Sequence, residues 1–291
     1  MTARTIDGTA IAAAVRADVA RDVAAHIAGG GQRPHLTVIL VGDDPASHVY
    51  VRNKGRACEE AGMTSDTIQL PATLSQAELL AHVERLNADP AVSGILVQMP
   101  LPKQIDEQTI MRALAPRKDV DGLSPTNLGM LLQGSPQHVP ATPSGVLEML
   151  RREGIDPDGK RVVVVGRSIL VGRPLVMLLA NKASGANATV TIAHTGTRDL
   201  AAVTREADIL VAAMGRARAI TADMVKPGAV VIDVGINQID DATRKSGKRL
   251  VGDVDFEGVS AVAAAITPVP GGVGPMTIAM LLVNTLEAAK G

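Results

Sequence analysis

Aromatic residues are almost absent from this chain of 291 residues, which has one tyrosine, one phenylalanine and no tryptophan. A core without aromatic rings must be filled by Ala, Val, Leu and Ile, which suits helices packed on buried parallel strands. The one tyrosine, Tyr50, adds little to such a core. We therefore expect it to serve chemistry or stacking.

The chain also has a single cysteine, almost no net charge and no long apolar run, and each of these features excludes a class of protein. The single Cys58 rules out a disulfide framework within the chain, and we expect a small buried filler rather than a redox group. A net charge of −1 without a basic stripe argues against a nucleic-acid partner. The chain contains no uninterrupted run of about 18 apolar residues, the length that a membrane-spanning helix needs. The N-terminal segment lacks the layout of a signal peptide, so we expect a cytoplasmic protein.

Short apolar runs alternate with amphipathic segments, which indicates an α/β architecture. Helices are predicted over residues 45–61, 75–87 and 276–290. Strands are predicted over residues 35–41, 67–70, 94–98, 160–165, 188–193, 209–213, 230–233 and 251–254, with a polar hairpin or loop over 238–249. We expect two α/β lobes: a three-layer lobe over residues 1–140 and 272–291, to which the C-terminal helix returns, and a second, Rossmann-type lobe over residues 141–271.

The segment around Tyr50 places three polar side chains on one face of the first predicted helix. Ser47, Tyr50 and Lys54 stand at positions i, i+3 and i+7. A hydroxyl, a flat ring and an amine on one face could hold a planar substrate and move a proton. An exposed surface helix with an ordinary lysine remains the alternative at this point.

A glycine-rich turn follows the most apolar predicted strand. Residues 162–165 lead into Gly166, Arg167 and Ser168, and Pro174, two residues after Gly172, stands near the expected first helical position. This is the arrangement of a Rossmann first turn, in which free N–H groups at the helix N-terminus bind a pyrophosphate. The spacing between the glycines differs from the usual Gly-x-Gly-x-x-Gly, so the turn alone does not establish a nucleotide site.

The second strand of this lobe indicates which cofactor binds. NAD-binding folds usually carry an acidic residue at its end, which accepts from the ribose 2′-hydroxyl. Here the strand ends in His194 and Thr195, no acid occurs before Asp199, and Arg167 and Arg198 supply guanidinium groups. Arginine and hydroxyl donors suit a 2′-phosphate, so we predict NADP. A solvated basic loop is the alternative.

Four segments together resemble the bifunctional methylenetetrahydrofolate dehydrogenase/methenyltetrahydrofolate cyclohydrolase family. They are Ser47-x-x-Tyr50-x-x-x-Lys54, Val97-Gln-Met-Pro-Leu-Pro102, Lys118-Asp-Val-Asp121-Gly-Leu-Ser-Pro-Thr-Asn-Leu-Gly129 and Thr267-Pro-Val-Pro270-Gly-Gly-Val-Gly-Pro-Met-Thr277. The Gly166-Arg-Ser168 turn also matches, and the resemblance extends from about residue 2 to residue 288. The departures from the common pattern, at Met99, Leu123, Ala141 and Thr195, remove no chemically active group.

The resemblance implies a homodimeric enzyme of one-carbon metabolism, with folate in the cleft between the lobes and NADP on the second lobe. The dehydrogenase oxidises 5,10-methylenetetrahydrofolate with NADP⁺. The cyclohydrolase hydrolyses the methenyl product to 10-formyltetrahydrofolate. Tetrahydrofolate derivatives are thus the expected partners, with no nucleic acid, membrane or metal involved.

The resemblance also implies which residues form the sites. Lys54 is the proton-transfer group, Gln98 orients its amine, Tyr50 stacks on or positions folate, and Asp121 binds the amino-pyrimidine edge of the pterin. The cofactor-binding residues are Gly166, Arg167, Ser168, Thr195 and Ile236. The substrate-binding residues are Tyr50, Lys54, Val97, Gln98, Met99, Asp121, Pro270, Gly271 and Gly272.

Two other functions use parts of this pattern. A short-chain dehydrogenase also combines Tyr-x-x-x-Lys with a serine, but its glycine turn precedes the tyrosine, whereas here Gly166 follows Tyr50 by 116 positions. A non-catalytic folate- or nucleotide-binding protein of the same fold would lack Lys54 or Gln98, and both are present.

Overall fold

The computed structural model describes residues 2–244 and 247–291, which fall into two compact units. The first unit contains Ala13–Ala141 and Ile278–Gly291, and the second contains the segment up to Ala12 together with Thr142–Thr277. Three helices have residues in both units: α1 (Gly8–Ala28), α6 (Ala141–Arg152) and α10 (Val273–Lys290). Within the described residues, no helix combines the length and the apolar character needed to cross a membrane.

The first unit is built on a three-stranded parallel sheet with the strand order β3-β2-β4. The strands are β2 (His35–Val41), β3 (Thr64–Leu70) and β4 (Gly94–Val97), and the helices contained within the unit are α2 (Pro45–Glu60), α3 (Gln76–Ala88), α4 (Glu107–Ala113) and α5 (Pro125–Leu132). The aliphatic runs of β2 and β4 are almost entirely buried, as expected for parallel strands covered on both faces. Ile39, Leu79 and Ile110 belong to the resulting core.

Local sequence signals explain where the helices of this unit begin and end. The Asp44 carboxylate accepts the N–H of Ser47 at 2.8 Å, and Pro45 takes the first helical position of α2. Gly62, with a φ of +79°, follows the end of α2 in the left-handed conformation that glycine adopts without strain. Helix α3 begins with a capping box formed by Ser75 and Glu78.

The second unit is built on a six-stranded parallel sheet with the strand order β1-β11-β8-β7-β5-β6. The strands are β1 (Arg4–Thr5), β5 (Arg161–Val165), β6 (Thr189–Ala193), β7 (Ile209–Ala212), β8 (Val230–Asp233) and β11 (Ala265–Ile266). The helices are α7 (Gly172–Ala180), α8 (Leu200–Thr204), α9 (Phe256–Ser260) and a 3-10 turn, Ala222–Met224. The core contains Val163, Leu210 and Val231, which come from three neighbouring strands. The two-lobed α/β architecture predicted from the sequence is confirmed.

The predicted strand over residues 251–254 is wrong. Only Val251 lies in a strand, as the last residue of β10 (Lys248–Val251), which pairs antiparallel with β9 (Asn237–Asp240). All four residues are buried, which explains why they have the pattern of a strand, but Asp253 is buried because its carboxylate binds a loop. The polar hairpin predicted over 238–249 is present in its described part, while Lys245 and Ser246 lie outside the described residues.

The units differ from the predicted domain boundaries at the N-terminus and at the last helix. The predicted catalytic lobe includes residues 1–12, yet β1 pairs in parallel with β11 at the edge of the six-stranded sheet. The last helix returns to the first unit as predicted, but from Ile278 onward rather than from residue 272. There Asn284 Nδ2 donates to the carbonyl oxygens of Val120 and Val139, each at 2.8 Å.

Candidate active site

Lys54 lies on α2 and is half-buried. Its Nζ donates to Gln98 Oε1 at 3.0 Å, and Gln98 directly follows β4. Gln98 Nε2 in turn donates to the carbonyl oxygen of Met99 at 2.8 Å. This second bond turns the amide so that its oxygen faces the amine.

The surroundings of Lys54 favour its neutral form. Burial lowers the pKa of Lys54, because the ammonium loses solvation, and the negative charge of Asp121 acts in the opposite direction. Burial also raises the pKa of Asp121, against the positive charge of Lys54 and with the help of the Asp119 carboxylate. These opposite shifts bring the pKa values of the amine and the carboxyl closer together, which suits groups that exchange protons.

The turn that carries Asp121 is held by a buried carboxylate. Asp119 is fully buried, and its Oδ2 accepts the N–H of Ser124 at 2.7 Å and the side-chain amide of Asn127 at 2.8 Å. The N–H of Ile95 on β4 donates to the carbonyl oxygen of Lys118 at 2.7 Å. The turn is thus tied both to the sheet and to the start of α5, which fixes the backbone beside Asp121.

The remaining predicted residues of the first unit have contrasting environments. Tyr50 is 48% exposed, so its ring is accessible for stacking. Ser47 is buried and its hydroxyl donates to the Asp44 carboxylate at 2.8 Å, which makes it part of the helix cap. Val97 is 3% exposed and packs in the core, so only its backbone could contact a ligand. Met99 is half-buried.

The glycine turn of the second unit has the close packing that a nucleotide site needs. Gly166 follows β5 with a φ of +133°, and a Cβ there would overlap the carbonyl oxygen of Ala213. A Cβ on Gly172, the first residue of α7, would overlap the carbonyl oxygen of Gly166. Ser168 Oγ accepts the N–H of Val171 at 3.2 Å just before that helix. Glycine at both positions therefore keeps the turn packed closely between β5 and the N-terminus of α7, the end of a helix at which a phosphate can bind.

The predicted phosphate-binding side chains start from adjacent strand ends. Strands β5 and β6 are parallel neighbours, and the N–H of Gly166 donates to the carbonyl oxygen of Ala193 at 2.8 Å. Arg167 and Ser168 follow one strand and Thr195 follows the other, and all three side chains are exposed. Backbone N–H groups, a guanidinium and hydroxyls at one sheet edge form a donor set that fits NADP.

A cavity of about 420 Å³ in the second unit brings other predicted residues together. It is lined by Ile236, predicted to bind the cofactor, and by Pro270, Gly271 and Gly272, predicted to bind folate. Ile236 is 52% exposed, which is unusual for an isoleucine and leaves its side chain available to a ligand.

Two buried carboxylates beside this cavity were missed by the sequence analysis. Asp233 ends β8 and is 3% exposed, and Asp253 is fully buried. Both accept several hydrogen bonds from backbone N–H groups of nearby loops. The signal that could have found them is an aspartate within each of the apolar runs 230–234 and 251–254. Across residues 2–244 and 247–291, no group of three or more His, Cys, Asp or Glu side chains could hold a metal ion.

Comparison with known proteins gives two family matches that together cover most of the chain. Residues 6–121 match the model of the tetrahydrofolate dehydrogenase/cyclohydrolase catalytic domain. Residues 140–291 match the model of the tetrahydrofolate dehydrogenase/cyclohydrolase NAD(P)-binding domain.

Similar proteins and solved structures cover the chain from end to end. The bifunctional protein FolD of Rhodopirellula baltica is 57% identical over 301 residues, which cover 100% of this chain and 98% of that protein. The crystal structure of the bifunctional enzyme FolD of Campylobacter jejuni has a TM-score of 0.92 at 45% identity, with 98% of each chain covered. The Trypanosoma brucei enzyme, complexed with NADP and an inhibitor, has a TM-score of 0.92 at 42% identity and covers 100% of this chain and 98% of its own. The chain belongs to the tetrahydrofolate dehydrogenase/cyclohydrolase family.

Proposed function

We propose that Lys54, oriented by Gln98 and paired with Asp121, is the proton-transfer group of a bifunctional folate enzyme. The enzyme oxidises 5,10-methylenetetrahydrofolate to 5,10-methenyltetrahydrofolate with NADP⁺ and hydrolyses that product to 10-formyltetrahydrofolate. Both steps belong to the interconversion of one-carbon tetrahydrofolate derivatives. The observation that carries the assignment of Lys54 is the 3.0 Å hydrogen bond to Gln98 together with the lowered pKa of the amine.

The hydrolytic step needs a base and then an acid at the same place. The neutral Lys54 amine accepts a proton from water as the water oxygen bonds to the methenyl carbon. The resulting ammonium then donates a proton to the ring nitrogen as its bond to that carbon breaks, and the added hydroxyl releases its proton to water as the formyl carbonyl forms. Gln98 keeps the amine in place through both transfers, and the nearby charge of Asp121 stabilises the ammonium in between.

The proposed folate contacts use groups of different kinds. Asp121 accepts N–H bonds from the amino-pyrimidine edge of the pterin, because a carboxylate can accept two parallel bonds. Tyr50 offers its accessible ring for stacking. Pro270, Gly271 and Gly272 line a cavity and offer backbone groups. Met99 lies beside Gln98, and Val97 contributes through its backbone.

NADP, when bound, accepts the hydride in the dehydrogenase step. Gly166 and Ser168 bind its pyrophosphate at the N-terminus of α7. Arg167 and Thr195 bind the 2′-phosphate, which an exposed guanidinium and a hydroxyl suit. Ile236 contacts the cofactor from the cavity. We assign folate catalysis to the first unit, Ala13–Ala141 with Ile278–Gly291, and cofactor binding to the second unit, whose cavity residues Pro270, Gly271 and Gly272 also contact folate.

A lysine-to-methionine exchange tests the central assignment. In Lys54→Met the hydrolysis of 5,10-methenyltetrahydrofolate should fall by roughly 10²- to 10⁴-fold, the usual contribution of a general acid–base group. NADP affinity should be unchanged, which shows that the variant is folded. Lys103→Met is the matched control, since Lys103 is exposed and lies in the same unit. Normal hydrolysis by Lys54→Met would remove this lysine from the mechanism.

Two further properties follow from the family resemblance. We propose a homodimer, tested by light scattering coupled to size-exclusion chromatography. We propose a cytoplasmic location without nucleic-acid or membrane partners, tested by cell fractionation. A monomer at micromolar concentration, or recovery of the protein in the membrane fraction, would contradict these proposals.

A further inference from the structure

Asp253 holds two loops at the carboxyl end of the six-stranded sheet. Its Oδ2 accepts the backbone N–H of Met214 at 2.6 Å and that of Gly215 at 2.9 Å. Its Oδ1 accepts the N–H of Arg216 at 2.8 Å and the side-chain amide of Asn237 at 2.8 Å. Three consecutive N–H groups thus form a small anion-binding nest, and a carboxylate of the chain itself occupies it.

A second carboxylate holds Asp253 in turn. Asp233 Oδ1 accepts the N–H of Asp253 at 2.9 Å and the N–H of Gly235 at 3.0 Å, and its Oδ2 accepts the N–H of Val254 at 3.0 Å. A Cβ on Gly235 would overlap the Asp253 carboxylate, and a Cβ on Gly252 would overlap that of Asp233. Glycine at these two positions leaves room for both carboxylates beside the backbone N–H groups that they bind.

The two loops held by Asp253 adjoin the cofactor-binding parts of the same unit. The loop that begins after β7 packs on the glycine turn, because the N–H of Ala213 donates to the carbonyl oxygen of Val165 at 2.8 Å and Gly166 lies against Ala213. The other loop carries Ile236 in the cavity. Asp233 binds the residue before Ile236, and Asp253 binds Asn237 after it.

We propose that Asp253 is a positioning residue for the cofactor. It sets the two loops that flank the glycine turn and the cavity, and it touches neither substrate nor reacting atoms. The proposal rests on the assignment of NADP to this unit. The hydrogen-bond arrangement distinguishes it from an ordinary core contact: one carboxylate satisfies four donors from two segments, and no neutral side chain of the same size can accept all four.

The test uses the two activities of one protein as internal controls. In Asp253→Ala, three backbone N–H groups lose their acceptor, and the KM for NADP in the dehydrogenase reaction should rise at least tenfold. The cyclohydrolase reaction needs no NADP, and its rate and its KM for methenyltetrahydrofolate should change less than threefold. Asp255→Ala is the matched control, because Asp255 lies two positions away and its carboxylate makes no capping hydrogen bond to α9.

Chemical rescue separates positioning from a general loss of structure. The substitution to alanine deletes the volume of a formate ion, so formate should enter the nest and lower the KM for NADP of Asp253→Ala severalfold. Chloride at the same ionic strength should not, and formate should leave the unmodified enzyme unchanged. An unchanged KM for NADP in Asp253→Ala, or losses of equal size in both activities that formate does not reverse, would overturn the proposal.

A milder variant keeps the test decisive if Asp253→Ala does not fold. Asn237→Ala removes one of the four donors and leaves the carboxylate in its nest, and it should raise the KM for NADP about two- to fivefold with cyclohydrolase activity retained. An unchanged KM for NADP in this variant would also overturn the proposal. Dehydrogenase activity of the unmodified enzyme with NADP checks the assigned function separately.

Discussion

Replacing Gln98 by glutamate places a negative charge next to the Lys54 amine without changing the size of the side chain. The amide oxygen of Gln98 lies 3.0 Å from Lys54 Nζ, so a carboxylate oxygen of the variant would lie at a similar distance. At an effective dielectric constant of about 20, a charge pair at that separation is worth roughly 5 kcal/mol. Lys54 is half-buried, and screening by water reduces this value to about 1.5–4 kcal/mol, equivalent to about one to three pKa units.

The sign of the effect on hydrolysis follows from which form of Lys54 is active. The neutral amine acts as the base, and a nearby negative charge stabilises the ammonium, so the pKa of Lys54 rises in Gln98→Glu. The ascending limb of the pH profile should therefore move to higher pH by at least one unit. Near pH 7 the rate should fall about tenfold or more, and it should recover as the pH is raised.

The measurement is the decay of methenyltetrahydrofolate absorbance at a series of pH values, corrected for hydrolysis without enzyme. Two controls isolate the charge. Gln98→Met removes the acceptor without adding charge, so its profile should not move to higher pH. Gln137→Glu adds the same charge at an exposed position of the same unit and should leave the profile unchanged. A Gln98→Glu profile that coincides with the wild type, or that moves to lower pH, would refute the role of Lys54 as the base.

Three further predictions concern single side chains. Asp121→Asn turns one acceptor into a donor facing the pterin, so folate should bind more weakly by about 1–3 kcal/mol while NADP binding is unchanged; equal folate affinities by titration calorimetry would contradict the assignment. Arg167→Ala should lower the preference for NADP⁺ over NAD⁺ about tenfold in kcat/KM, and less at high salt because Arg167 is exposed; an unaltered preference would exclude Arg167 from the 2′-phosphate site. Burial raises the pKa of Asp233 to about 6, so the folded protein holds this proton to a higher pH than the unfolded chain does. Loss of the proton therefore lowers the free energy of unfolding by roughly 3 kcal/mol as the pH rises from about 4 to above 6. The free energy of unfolding in urea is measured for the wild type and for Asp233→Asn at about pH 4 and above pH 6, and the variant should lack this decrease. An identical pH dependence in both proteins would show that Asp233 does not titrate in this range.

The sequence by itself determined the features that depend on neighbours within a few residues. The apolar runs of β2, β4, β5, β7 and β8 identify buried strands, because covered parallel strands need aliphatic side chains at every position. Asp44 and Ser75 mark helix starts, because the side-chain oxygen of each accepts a backbone N–H in the first turn of the helix that follows. Four segments together carry the family resemblance, and in one of them Ser47, Tyr50 and Lys54 lie about one helical turn apart.

Only the tertiary structure decided features that depend on residues far apart in the chain. The pairing of β1 with β11 joins Arg4 to Ala265, so no local pattern indicates it. Burial, which lowers the pKa of Lys54, is a property of the folded surroundings, as is the position of Val97 in the core. In sequence, Asp253 lies within a predicted strand, and nothing indicates a role for its side chain. Its role arises because folding brings the N–H groups of residues 214–216 around its carboxylate, and a buried carboxylate is stable only when such donors surround it.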